Sequence, residues 1–265
     1  MIYTTRMRHR GFTLVEILVV IAIIGVLSAV VIASLNLTRE NGRLAAGKQF
    51  DASLKHSLGD QLEGQWNLDE TSGTIANDSS GNGRNGTITN VGFVSGVFNG
   101  AFSFDGSSSK VAGAAAVPVA TQMTISAWIW KNSSTGQKSF FSNRGAAGTA
   151  YLGVIGTQIF FYDNSGTPSA ITTPSGSIQL GRWQQVAVTS DGSTIKIYVD
   201  GAQIGTYSQT RVSSSGPFGI GWDPSIGSEY WDGKIDAVRV YSRVLYSTEI
   251  KEQYAEELSL HLARN

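Results

Sequence analysis

Ser190-Asp191-Gly192-Ser193-Thr194-Ile195-Lys196-Ile197-Tyr198-Val199-Asp200-Gly201 alternates apolar and polar side chains between two Asp-Gly pairs. A period of two puts Ile195, Ile197 and Val199 on one face, as a half-buried strand requires. Asp-Gly between alternating runs is a strong hairpin signal, because type I′ turns need positive φ at both central positions. The stretch therefore orders three antiparallel strands, Trp183 to Ser190, Thr194 to Val199 and Ala202 to Tyr207.

The same texture extends outward on both sides. From Gly64 onward, short apolar alternations are separated by glycine, serine, asparagine and aspartate, and Met123 to Lys131, Gln158 to Asp163 and Gly233 to Tyr241 read as further strands. Many short strands with regular turn signals indicate an all-β sandwich. Seven pieces occur in a fixed order: Trp66-Asn67-Leu68-Asp69-Glu70, Asp78-Ser79-Ser80-Gly81-Asn82-Gly83, Ala101-Phe102-Ser103-Phe104-Asp105-Gly106, Thr124-Ile125-Ser126-Ala127-Trp128-Ile129, Trp183-Gln184-Gln185-Val186-Ala187-Val188-Thr189, Tyr198-Val199-Asp200-Gly201 and Gly233-Lys234-Ile235-Asp236-Ala237-Val238-Arg239-Val240-Tyr241. Together they resemble a laminin-G-like, concanavalin A-like jelly roll. The resemblance implies two curved antiparallel sheets of six or seven strands each that bind carbohydrate or protein, or serve as an accessory module.

The residue inventory narrows the chemistry. Cysteine is absent, which removes disulfides, thiolate nucleophiles and cysteine-ligated zinc. His9, His56 and His261 all lie outside the sandwich, so it contains no histidine base and no Ser-His-Asp site. Lys+Arg and Asp+Glu are both 20, leaving no basic face for nucleic acid. A glycosidase with paired carboxylates has no supporting spacing, since Glu70 and Glu229 are the only glutamates between Gly64 and Arg243. The expected role is binding, not catalysis.

Two binding features stand out. Asp78-Ser79-Ser80-Gly81-Asn82-Gly83 combines hard oxygen ligands with turn glycines, as a calcium loop needs, although such composition also makes a plain Asx-rich turn. The jelly-roll resemblance implies that this loop approaches the aspartate of the Gly-x-Ile-Asp strand, making Asp78, Asn82 and Asp236 the expected ligands of one structural calcium ion. Among the six tryptophans, Trp128 and Trp183 sit within strands and read as core. Trp222 and Trp231 flank the loop-like Asp223-Pro224-Ser225-Ile226-Gly227-Ser228-Glu229 and are the candidates for a sugar platform.

The N-terminus carries a separate message. Phe12 to Ile32 is an apolar run of 21 residues whose single charge is Glu16. As a helix it spans about 31 Å, roughly one bilayer core. Arg6, Arg8 and Arg10 hold the preceding segment in the cytoplasm by the positive-inside rule, so the rest of the chain is expected outside the membrane. A carboxylate in an apolar helix costs about 2.5–3.5 kcal/mol at the bilayer centre, which calls for a function. Gly11-Phe12-Thr13-Leu14-Val15-Glu16 resembles the type IV pilin and pseudopilin N-terminus. That resemblance implies cleavage after Gly11 by a prepilin peptidase, methylation of Phe12, and pairing of Glu16 with the free α-amino group of a neighbouring subunit.

The expected organisation is a basic leader over 1–11, a transmembrane helix and stalk over 12–62, a sandwich over 63–246, and a short helix and tail over 247–265. In the stalk, Leu54, Leu58 and Leu62 recur at helical spacing. In the tail, Ile250, Tyr254, Leu258 and Leu262 form an apolar stripe after a start at Ser247 or Thr248. The fold class is therefore mainly β, an antiparallel two-sheet jelly-roll sandwich preceded by one long N-terminal transmembrane α-helix. Function follows as a pilin-like or pseudopilin subunit displaying an adhesive or structural sandwich at the cell surface or in a pilus, with carbohydrate or a surface protein as the ligand. Its rivals are an anchored binding protein that never assembles and, less favoured, a surface glycosidase.

Overall fold

The computed structural model describes residues 14–15, 17–25, 27–28, 61–145, 148–163 and 170–263. The chain divides into two compact units, 1–54 and 55–265. In the first, helix α1 runs unbroken over 17–25, and Ile17, Leu18, Val19, Val20, Ile21, Ile23 and Ile24 are all exposed around it. A helix apolar on every side is suited to lipid or to other helices, not to water. Among the described residues no helix is long and apolar enough to cross a membrane. The long helix expected from Phe12 is thus described only as this shorter stretch, and Gly11, Phe12 and Glu16 lie outside the described residues. Leu62 does not end a helical stalk: it opens a strand, because Leu62, Gly64 and Trp66 turn inward along an extended backbone.

The second unit is a sandwich of two antiparallel eight-stranded sheets. The first sheet runs β14 (Ala202–Ser208), β13 (Thr194–Val199), β12 (Trp183–Asp191), β7 (Gln122–Lys131), β16 (Asp232–Tyr241), β5 (Gly100–Asp105) and β4 (Gly92–Ser95), with β1 (Leu62–Trp66) also paired to β16. The second runs β11 (Ala170–Thr172), β10 (Gln158–Tyr162), β9 (Gly148–Ile155), β8 (Gln137–Gly145), β15 (Ser214–Ile220), β6 (Lys110–Val119), β3 (Gly86–Thr89) and β2 (Ile75–Ala76). Sequence-adjacent strands pair in β2–β3, β4–β5, β8–β9–β10–β11 and β12–β13–β14, the other connections cross between the sheets or along them, and β16 inserts between β7 and β5.

The core lies between the sheets and obeys the period of two. Ile125, Ala127 and Ile129 of β7 meet Phe141 of β8, Leu152 of β9, Phe161 of β10 and Phe218 of β15 in one buried cluster. Trp66 closes it, its ring 4.3 Å from that of Phe218. The Ser190–Gly201 hairpin forms in the expected register, with Ile197 opposite Val188 on one side and Gly205 on the other. Asp200 and Gly201 both have positive φ, 50° and 74°, as a type I′ turn requires. The other Asp-Gly pair differs: only Gly192 is positive, at 101°, because Asp191 still belongs to β12 and the turn is Gly192-Ser193.

Helix α2 (Ser247–Leu262) packs on the outer face of the first sheet. Glu249 caps it by accepting the Tyr246 N–H at 2.7 Å. Its buried face is Ile250, Gln253 and Glu257, with Tyr254 and Leu258 half-buried, so the expected stripe of Ile250, Tyr254, Leu258 and Leu262 makes contact through its first members while Leu262 is exposed, and two polar residues share the buried face. The reason lies underneath. Arg239 and Trp128 point outward from β16 and β7 and present hydrogen-bond donors that an apolar helix face could not satisfy. Trp128 is accordingly buried beneath α2, stacked on Tyr254 at 5.7 Å, and not in the core between the sheets.

Candidate functional site

The outer face of the second sheet carries a row of rings. In β10, Ile159 and Phe161 enter the core, so alternation turns Gln158, Phe160 and Tyr162 outward, where they are half-buried. In β9, Ala150, Leu152 and Val154 face the core, which turns Tyr151 and Gly153 outward. Register places Tyr151 opposite Tyr162, and Phe160 opposite the bare Gly153. Phe160 and Tyr162 lie nearly parallel, 13° apart with centroids at 6.4 Å, and Tyr151 meets Phe160 edge-on at 5.4 Å.

A loop between β15 and β16 rests on this face. It can do so because Gly219 has no side chain: a Cβ there would stand 2.6 Å from the Trp222 carbonyl and 2.8 Å from Pro224 Cδ. The loop is closed by Asp223 N–H donating to the Ser228 carbonyl at 3.1 Å, and it delivers Glu229 in the left-handed region at φ 60°. Such a backbone is uncommon for a residue with a side chain and is held here by the Glu229 carbonyl, which accepts the Ser139 N–H at 2.8 Å.

Glu229 is the polar centre of the face. Tyr151 donates its hydroxyl to one carboxylate oxygen. Gln137 Nε2 donates to the other at 3.0 Å and to the Tyr151 hydroxyl oxygen at 3.2 Å. Burial, the bond to Glu229 and the charges of Glu229 and Asp223 all push the Tyr151 phenol above its ordinary range, so it stays a donor. Asp223 is fully buried and accepts from Ser225 N and Ser225 Oγ, both at 2.9 Å, and from Ser142 Oγ at 3.4 Å. No spacing in the sequence pairs Tyr151 with Glu229; they meet because β9 passes beneath the loop, although they are 78 positions apart.

The two tryptophans expected to form a platform have different fates. Trp222 is half-buried, donates Nε1 to the Val111 carbonyl at 3.1 Å, stacks near Tyr230 and lies under Lys110 Nζ at 4.3 Å. Trp231 is not a surface residue. It is completely buried, meets Phe140 at 5.9 Å and shares its indole N–H between the Trp130 and Lys234 carbonyls. The chain has by then turned inward to start β16, and the ring fills the end of the sandwich. Lys131, also buried, lies 5.2 Å over that ring, and burial pushes its amine down to about 8 against the opposing pull of Asp232.

The expected calcium set does not fit an ion in this arrangement. Asp78 Oδ1 accepts the Gln65 and Ser80 N–H groups at 3.0 and 2.9 Å, and Oδ2 accepts the Arg84 N–H at 2.9 Å. Asn82 aims its amide donor at the Leu62 and Glu63 carbonyls. These groups staple the 78–84 loop to β1, and the N–H dipoles around Asp78 already supply the positive field a cation would provide. Asp236 shares no hydrogen-bond partner with them. It is buried on the outer side of β16, where Oδ2 accepts the Val97 and Phe98 N–H groups at 2.7 and 3.3 Å. Burial pushes its carboxyl up to about 8, reinforced by the charge of Asp69 and opposed by those amides. Among the described residues, no group of three or more acidic or histidine side chains is arranged to hold a metal.

Comparison with known proteins gives two matches. Residues 104–251 match the laminin G model described as the concanavalin A-like lectin/glucanases superfamily, and residues 6–32 match the prokaryotic N-terminal methylation motif. No curated protein matches the chain. Similar solved structures include domain 4 of a GH43 extracellular arabinanase from Geobacillus stearothermophilus, in complex with arabinotriose (19% identity, TM-score 0.56, covering 72% of this chain and 97% of that one). Another is the binding domain of Paraclostridial Mosquitocidal Protein 1 (15% identity, TM-score 0.60, 74% of this chain and 52% of that one). A third is a Trypanosoma rangeli sialidase in complex with sialic acid (20% identity, TM-score 0.57, 76% and 33%). These likenesses concern the fold, and the chain spans only about half of the toxin domain and a third of the sialidase.

Proposed function

The chain belongs to the concanavalin A-like lectin/glucanases superfamily, and from that premise we propose that it is a pilin-like subunit that displays a sugar-binding sandwich outside the cytoplasmic membrane. The observation that carries the binding half is the pair of half-buried, near-parallel rings of Phe160 and Tyr162 beside the Glu229 carboxylate. Aromatic planes suit the C–H faces of sugars, and a few fixed polar groups orient them. The arabinotriose-bound neighbour is consistent with such a use of the fold.

The methylation motif supports the other half. In this reading prepilin peptidase cuts after Gly11, the Phe12 amino group is methylated, and the apolar helix holds the subunit in the membrane until it enters a type IV pilus or secretion filament. Glu16 then pairs with the α-amino group of the next subunit, because an uncompensated charge in an apolar bundle is expensive and so imposes register. An anchored protein that never assembles is the alternative. The two separate on Glu16→Ala, which blocks incorporation into filaments and leaves insertion intact if the subunit assembles.

In this reading the site binds a sugar without cleaving it. Asp223 is buried and committed to Ser225 and Ser142, so it has no approach to a glycosidic bond, and a glycosidase needs two carboxylates at the bond. Calorimetric titration of the full chain in detergent with arabinotriose tests the proposal. Phe160→Ala and Tyr162→Ala are each expected to weaken binding about tenfold; binding unchanged in both variants rejects the face as the site.

A further inference from the structure

We infer that the Glu229 face selects neutral sugars with adjacent hydroxyls and rejects acidic ones, an inference that rests on the sugar-binding reading above and names its ligand class. It follows from donors and acceptors. Tyr151 spends its only hydrogen on Glu229, and Gln137 spends its amide donor on Glu229 and on the Tyr151 oxygen. What the trio has left to offer a ligand is acceptors: the remaining lone pairs of the two Glu229 oxygens and the Gln137 carbonyl oxygen.

An acceptor-only centre recognises groups that donate. Two neighbouring hydroxyls of a sugar match two carboxylate oxygens, each already held in place by a protein donor. A carboxylate or sulfate on the ligand has no hydrogen to give, and it would meet the like charges of Glu229 and Asp223, both of which act on Tyr151. Two described lysines are directed elsewhere, Lys138 to the Gly106 carbonyl at 3.1 Å and Lys110 over the Trp222 ring. The rings of Phe160 and Tyr162 add stacking that is blind to charge, so discrimination falls on Glu229.

The backbone supports this assignment. Glu229 occupies a left-handed conformation that loop closure alone would leave to a glycine or asparagine, and its carbonyl is tied to β8 through Ser139. The carboxylate is thereby fixed relative to the ring row and is not a mobile surface charge.

Titration of the full chain in detergent tests the inference, with arabinotriose, galactotriose and maltotriose as neutral probes and trigalacturonic acid and sialyllactose as acidic ones. Galactotriose and trigalacturonic acid form a matched pair that differs at C6, where a hydroxymethyl group becomes a carboxylate. At least one neutral probe is expected to bind about tenfold or more tightly than every acidic probe, the range set by charged hydrogen bonds. Glu229→Gln should weaken the neutral probe about tenfold and reduce the neutral-to-acidic ratio, whereas Tyr162→Ala should weaken binding and leave that ratio intact. Equal or tighter binding of an acidic probe, or a ratio unmoved by Glu229→Gln, overturns the selectivity and leaves sugar binding standing. No binding of any probe overturns both readings.

Discussion

Glu257 accepts the Trp128 indole N–H at 2.6 Å, joining the last turns of α2 to the outer face of β7. The same carboxylate accepts Gln185 Nε2 at 2.8 Å, Arg239 at 2.6 Å and Gln253 Nε2 at 3.1 Å, so both oxygens are fully used in a buried setting. Removing it takes the shared carboxylate from a buried guanidinium and an indole donor together. Breaking a buried pair from one side costs about 3–5 kcal/mol. Glu257→Ala should therefore lower unfolding stability by that order in urea titrations of the full chain, and a loss under about 1 kcal/mol would show that α2 is held by its apolar contacts instead.

Asp236 makes stability depend on pH in an unusual direction. Its folded carboxyl is raised to about 8 from an ordinary 3.8, so between those values the native state holds a proton that the unfolded chain has lost. The contribution is fully present below about 4 and is lost as pH rises toward 8. The melting temperature of wild type should therefore fall from pH 5 to pH 8 relative to that of Asp236→Asn, which cannot ionise. Parallel pH profiles for the two proteins would show that Asp236 is charged in the fold.

Trp231 and Trp222 separate stability from the loop. Trp231→Ala empties a fully buried site and should cost about 3–5 kcal/mol, the range for large aromatic truncations. Trp222→Ala removes a half-buried ring and one hydrogen bond to Val111, and its cost in guanidinium unfolding should be clearly smaller. Equal costs would mean that the Trp222 ring is as deeply packed as Trp231.

Those two residues also mark where the sequence becomes opaque. Alternation identified β13 to the residue and β12, β14 and β7 to within one, because each has one face on the core and a period-two pattern records that. The Asp200-Gly201 turn was legible for the same local reason. Trp222 and Trp231 look alike in sequence, each beside a polar loop; only the entry of the chain into β16 distinguishes them. The Tyr151–Glu229–Gln137 cluster was out of reach, since it depends on a loop folding back over strands far away in sequence. Glu257 was hidden differently: its helix face reads as polar, and only the donors of Arg239 and Trp128 beneath it explain why that face is buried.

Calcium should leave the sandwich unaffected. The carboxylate of Asp78 is saturated by three backbone N–H groups, and Asp236 is engaged elsewhere. A site filled at a hundred times its dissociation constant adds about 2.7 kcal/mol, which a melting curve detects readily. Melting temperatures with millimolar calcium and with chelator should coincide; a rise of several degrees with calcium would restore a metal site to this domain.

A processed N-terminus joined to a displayed sandwich is most directly tested by mass spectrometry of the chain recovered from sheared surface filaments. The expected product is a chain beginning at Phe12 and carrying one methyl group on its amino nitrogen. A chain that still begins at Met1, that is cut beyond Ile32, or that is missing from the filament fraction while present in the membrane would contradict it.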